Sequence, residues 1–126
     1  MTRKVSDRTA SNLPEPKVYV TKDGSRIREL ANPLLVPGLG MSLAEAVVEP
    51  GESTIPHFHT DFDEIYYCLE GAGVLYVNDA PHPFSPGAYH LMRKGAKHFL
   101  TATTRLRILC ACCPAYTHEE TVTLGC

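Results

Sequence analysis

Three histidines and one glutamate, His57, His59, Glu64 and His98, stand at spacings that allow four side chains to meet. Imidazole nitrogen and carboxylate oxygen are donors that zinc, iron, manganese, nickel and copper accept, at roughly 2.0 to 2.2 Å from the ion. His57 and His59 are two residues apart, so in an extended strand they face the same side. A turn over residues 60–63 returns Glu64 beside them on the next strand, which makes a three-ligand cluster from one hairpin. His98 ends a second segment bounded by Gly87 and Gly95 and supplies a fourth ligand. Such a set on an octahedral divalent ion leaves two positions open for water, oxygen or a chelating substrate. The ion then serves as Lewis acid, source of a nucleophile or template.

Around this quartet stand residues with weaker claims. Tyr66 and Cys68 share strand parity with Glu64 and are expected to line the same cavity deeper in the fold. Tyr66 joins Glu64 as a candidate catalytic group, as a proton donor or substrate contact, with packing in the core as the alternative. Arg26 and Arg28 share one face of an early segment; facing the mouth of a barrel they would grip a carboxylate, and otherwise they form a solvated edge. His82, His90 and His118 are read as surface or core histidines. Cys110 and Cys112 share an apolar face with Leu106 and Ile108, whereas Cys110 and Cys113 put their sulfurs on opposite faces of a strand, which argues against a redox pair.

The elements that must position these groups read as strands. Segments rich in β-branched, aromatic and aliphatic residues are expected at 17–21, 26–30, 42–49, 55–59, 64–70, 73–77, 88–92, 97–101 and 106–112, with no 3.6-residue stripe long enough for a three-turn helix. Asp23-Gly24, Pro37-Gly38, Pro50-Gly51, Glu70-Gly71, Asn78-Asp79, Pro86-Gly87 and Lys94-Gly95 punctuate them with turn chemistry. Many short strands at this spacing predict an all-β sandwich or barrel, whose closure removes exposed edges. Residues 1–17 are polar and aperiodic and read as an arm that is loose or orders against a partner, ahead of one barrel domain over 18–126. Residues 114–120 read as a polar tail that covers the mouth or enters a dimer contact.

At 126 residues the chain fits one domain, and 12 Lys and Arg against 14 Asp and Glu leave a net charge of -2. No field of that size gathers phosphate backbone or anionic lipid, so nucleic acid and membrane are not expected partners. No apolar stretch follows the basic N-terminal residues as a secretory signal requires, and none is long enough to span a bilayer, so a cytoplasmic protein is expected. Five cysteines, three of them crowded into residues 110–113, read as reduced thiols.

The two segments together resemble the signature motifs of the cupin superfamily. Gly51, His57, His59, Glu64 and Gly71 match the whole first motif, and Gly87, Gly95 and His98 match part of the second, with Arg93 in place of the usual proline and Ala102 in place of the usual asparagine. The likeness spans about residues 40–113. It implies a double-stranded β-helix, or jelly roll, with one divalent transition-metal ion (Fe, Mn, Zn or Ni) on His57, His59, Glu64 and His98. It further implies pairing of two copies through their N-terminal strands. On this basis the chain is expected to act on a small polar organic acid or amino-acid-like substrate by oxygenase, isomerase or lyase chemistry, the competing class being a non-catalytic binding module. A narrower likeness to the ectoine synthases runs through Pro86-Gly87, Lys97-His98, Leu100, Ala102, Thr104, Arg107, Cys110, Pro114 and Thr117. Those enzymes bind iron through Glu, Tyr and His; Glu64 and His98 would correspond, with His90 at the tyrosine's place, and ring-closing dehydration is the alternative activity.

Overall fold

The computed structural model describes residues 18–124, so the expected arm over residues 1–17 lies outside the described residues, as does Cys126. Eleven strands follow one another: β1 (Val18–Val20), β2 (Arg26–Ala31), β3 (Ser42–Val48), β4 (His57–His59), β5 (Asp63–Glu70), β6 (Gly73–Val77), β7 (Ala80–Phe84), β8 (Tyr89–Met92), β9 (His98–Ala102), β10 (Leu106–Cys113) and β11 (Thr121–Thr123). They form two antiparallel sheets, one in the order β1-β2-β3-β10-β5-β8 and the other in the order β11-β4-β9-β6-β7. This is the all-β jelly-roll barrel that the sequence predicts. No helix among the described residues is long and apolar enough to cross a membrane.

Period-two alternation decides which side chains enter the barrel. Along β10, Leu106, Ile108, Cys110 and Cys112 are buried, and along β5 so are Glu64, Tyr66 and Cys68. Arg107, between buried neighbours, turns outward and bonds Glu45 and Glu70 at 2.7 Å each. One end of the barrel is apolar, with Cys68, Leu75, Phe84 and Leu106 at 2% exposure or less. Burying a large apolar side chain there stabilises by about 1.5–3 kcal/mol. The other end holds a cavity, partly open to solvent, that contains the polar cluster.

Two turns show how tightly the strands are joined. Asn78 and Asp79 both adopt positive φ, 49° and 70°, between the paired Val77 and Ala80, the geometry a two-residue hairpin needs to match strand twist. Gly71 has φ 90°, and a Cβ there would stand 2.0 Å from the Arg105 carbonyl oxygen, so only glycine lets β5 leave the sheet at this point.

Two strands were not expected. β7 carries Pro81 and Pro83, which argue against a strand, yet it is an edge strand that pairs on one side only, with β6. Prolines two residues apart turn their missing N–H groups to the unpaired side, where no ladder bond is lost. β11 follows directly on residues 114–120, which read as a polar tail, and pairs with β4 so that Thr121 stands opposite His59 and Thr123 opposite His57.

Candidate metal centre

β4 is three residues long, and its alternation sends His57 and His59 inward while Phe58 packs on the other face. The turn after it returns the chain at Glu64, and β9 lies next to β4 with His98 directly opposite His57. The four side chains converge: one donor atom from each lies within 4.8 Å of all the others. Glu64 Oε1 is 2.9 Å from His59 Nε2 and 3.2 Å from His98 Nε2. The rings of His57 and His98 are 4.3 Å apart. All four residues are at most 5% exposed. Donors that share one ion at about 2.0–2.2 Å lie within about 4.4 Å of one another, so the cluster needs to contract by a few tenths of an ångström.

The outer nitrogens decide what the inner ones can do. His57 Nδ1 donates to the Ile55 carbonyl at 2.7 Å and His98 Nδ1 to the Ala96 carbonyl at 3.0 Å. A carbonyl only accepts, so both protons sit on Nδ1. His59 Nδ1 bonds Thr121 Oγ1 at 2.9 Å, and that hydroxyl spends its own proton on the Thr117 carbonyl at 2.9 Å, which makes His59 a donor too. In the neutral form each imidazole therefore turns an unprotonated Nε2 to the centre. Three such nitrogens and a carboxylate oxygen facing one point are four electron-pair donors with no proton to share, which is the demand a cation meets.

Without a cation, the same inner contacts draw a proton onto the imidazoles that face Glu64. Burial opposes the charge on Glu64, but hydrogen bonds from His59 and His98 outweigh it and hold the carboxyl well below its ordinary range. Burial, then the charge of His98, lowers His57 from 6.5 to about 4. Burial would also lower His98, yet the bond and charge of Glu64 raise it. Glu64 Oε2 accepts the Cys112 thiol at 3.4 Å. Burial and then the Glu64 charge push the Cys112 thiol upward, and burial does the same for Cys110, so both stay protonated.

Tyr66 lines the cavity with its ring edge-on to His98 at 5.5 Å, and its hydroxyl has no hydrogen-bond partner among the described residues. Burial and then Glu64 raise it well above the ordinary phenol range, so it stands as a protonated donor. Cys68 does not line this cavity and belongs instead to the apolar core. Arg26 and Arg28 do not face the mouth either. They turn outward to Glu49 at 3.0 Å and Glu45 at 3.6 Å, while Ser25, Ile27 and Glu29 face the cavity. His90, at the place of the ectoine synthases' tyrosine, packs its ring against His82 at 4.5 Å and stays outside the cluster; His118 bonds the Tyr116 hydroxyl at 3.0 Å. Cys68, Cys110, Cys112 and Cys113 are free thiols, the last exposed.

Sequence reasoning missed Asp23, Tyr116 and Thr121. Asp23 lies in the turn between β1 and β2, where the Ser25 amide and hydroxyl both donate to Oδ1, at 3.0 and 2.7 Å. Its Oδ2 lies 3.6 Å from His57 Nε2. Asp23-Gly24 reads only as a turn, and no local signal says that this turn folds over the cluster. Tyr116, within the stretch read as a tail, lines the cavity, so that stretch does cover the mouth.

A model of the cupin domain matches residues 44–112, which contain the whole quartet. MJ1618 of Methanocaldococcus jannaschii is 39% identical over 107 residues, covering 83% of this chain and 86% of that protein. An L-ectoine synthase of Oceanobacillus iheyensis is 29% identical over 85 residues, 66% of each chain. Among solved structures, Pac13, described as a unique nucleoside dehydratase, superposes with a TM-score of 0.70 at 17% identity, over 92% of this chain and 88% of its own; the likeness is one of fold.

Proposed function

The chain belongs to the cupin family, and from that premise we propose that it is a divalent-metal-dependent enzyme of lyase or isomerase type acting on a small polar molecule. The observation that carries this reading is the lock on the three outer nitrogens, which turns Nε2 of His57, His59 and His98 to the centre beside Glu64, each able to give an electron pair once a cation takes the place of the proton there. These four residues would hold one ion of the iron, manganese, zinc and nickel group. When bound, such an ion supplies Lewis acidity toward an oxygen of the ligand. Tyr66 offers a proton from the cavity wall, and Tyr116 and the turn at Asp23 limit water at the mouth.

Two relatives support the choice of elimination or isomerisation over oxygen chemistry: the ectoine synthase among the sequences and the nucleoside dehydratase among the folds. Ring closure of an acylated diaminobutyrate is the specific form the first of these suggests, and that compound belongs in any substrate panel. Pairing of two copies is part of the proposal, supported by β1, an edge strand among the described residues, where Val18 and Val20 are 63% and 66% exposed. A monomer in sedimentation would overturn that part.

The test of the whole is elemental analysis of protein purified without added metal, followed by turnover of small acids, amino acids and polyols by the wild type and Glu64→Ala, with oxygen uptake recorded alongside. About one ion per chain and turnover abolished by Glu64→Ala are expected. Absence of a bound ion, or tight ligand binding with no turnover of anything, overturns the enzyme reading.

A further inference from the structure

The cavity's walls differ in charge from what an acid-binding site needs. Asp23, Glu29 and Glu64 all line it, and neither Lys nor Arg is among the described residues that do. The nearby cations are committed elsewhere: Arg26 to Glu49 at 3.0 Å, Lys22 to the carbonyls of His118 and Thr121 at 3.2 and 2.7 Å. Three carboxylates against one divalent ion leave the cavity with one net negative charge, the imidazoles being neutral. Besides the histidines and thiols, the remaining polar lining is hydroxyl, from Thr21, Ser42, Thr54, Tyr66 and Tyr116 among others.

We propose that this cavity takes a small ligand of zero or positive net charge whose hydroxyl or ammonium donors face Asp23, and that it excludes compounds of the same size whose net charge is negative, dicarboxylates and phosphate among them. The acceptor is already placed. Both Ser25 donors fall on Asp23 Oδ1, which leaves Oδ2 turned toward the cluster beside His57 Nε2. Glu29 is further back and already bonded: Tyr19 donates to its Oε2 at 2.5 Å and Asn32 to its Oε1 at 3.2 Å. It adds negative field but offers less room for a ligand's donor. An anionic ligand would bring a second unpaired charge into a partly desolvated site with no cation other than the ion, whereas an alcohol or ammonium gains a charge-assisted hydrogen bond there. The narrower substrate class replaces the organic-acid expectation and rests on the metal-centre reading only for the seat of the ligand's other end.

The test uses the full chain as purified, with its metal content measured on the same samples. It is titrated calorimetrically with 1,4-diaminobutane, myo-inositol, succinate and inorganic phosphate. Diaminobutane or inositol is expected to bind at least about tenfold more tightly than succinate and phosphate. Asp23→Asn is expected to weaken diaminobutane by about tenfold and to narrow its lead over succinate. Should Asp23→Asn not fold, Glu29→Gln, which keeps an acceptor for Tyr19, takes its place and is expected to narrow the same lead. Succinate or phosphate bound as tightly as the two neutral or cationic probes overturns the inference. So does failure of both those probes to bind, or a lead unchanged in the folded variant. A chain that holds one ion and prefers succinate loses this inference alone, and one that holds no ion yet keeps the preference for diaminobutane loses the metal reading alone.

Discussion

The two sheets bring different chemistry to one cavity. The sheet of β11, β4 and β9 supplies imidazoles, each fixed through Nδ1 by a carbonyl or by the Thr121 hydroxyl. The sheet of β1, β2, β3, β10 and β5, with the turn after β1, supplies carboxylates, hydroxyls and thiols, and among the described residues Tyr66 and Asp23 Oδ2 have no hydrogen-bond partner. A ligand group for an ion is worth most when its orientation is set before the ion arrives, and a group that reads a substrate must still have a hydrogen bond to give. Glu64 crosses the division: it comes from the second sheet, yet Oε1 faces the imidazoles of the first.

The sharpest way to break this division is to delete an imidazole. His98→Ala and His57→Ala should each cost more than about 100-fold in metal affinity, beyond the effect of losing an outer partner, and abolish the rise in melting temperature on adding the ion. Tyr66→Phe, on the other sheet, should leave metal affinity unchanged and lower kcat. Next in size is Thr121→Val, which removes the acceptor of His59 Nδ1 and should cost about 10- to 100-fold in affinity, with Thr121→Ser restoring most of it. Competition against a chromophoric chelator measures the affinity of all five. Equal affinity in Thr121→Val would show that the imidazoles are not oriented from outside.

How much of this division is legible in the sequence depends on the range of the contact. His57, His59 and Glu64 lie on one hairpin, and parity alone brings them together. The place of His98 required knowing that β9 borders β4, which the resemblance to a family implied and local pattern does not. Parity placed Arg26 and Arg28 on one face but could not say which, because that depends on the pairing of β2 with β3 in a curved sheet. β7 was hidden by its two prolines and β11 by its length of three residues, so Thr121 and its bond to His59 went unread. Asp23 acts across the cavity from a turn, and turn chemistry is the same whatever the turn folds over.

A smaller effect is expected from acid on the metal-free chain. His57 has its value lowered from 6.5 to about 4, by burial first, so between those values the unfolded chain binds a proton that the folded chain refuses. Its contribution to stability is therefore whole above about 6.5 and is lost as pH falls toward 4. His98, raised by Glu64, works in the other direction: its share is whole below about 6.5 and is lost as pH rises through its folded value. The melting temperature of chelator-treated protein should fall by several degrees from pH 6.5 to 4, and His57→Gln should flatten that limb. An unchanged slope would mean that His57 is not held neutral by the fold.

The smallest effect should come from Cys112, where the carboxylate sheet touches the ligand set. Its thiol donates to Glu64 Oε2 over 3.4 Å, a long bond from a weak donor. Cys112→Ser keeps a donor of similar size and improves its strength, so stability and metal affinity should stay within about 1 kcal/mol of wild type. Cys112→Val, larger by about one methyl group, withdraws the donor and leaves Oε2 buried without that partner, and should cost about 1–3 kcal/mol in the metal-free chain. The ion should repay part of that loss, because a carboxylate freed on Oε2 can turn both oxygens to a cation. Melting temperatures of the two variants with and without the ion separate these cases. A Val variant as stable as the Ser variant in the absence of metal would show that the thiol only fills space, and that Glu64 is oriented by the imidazoles alone.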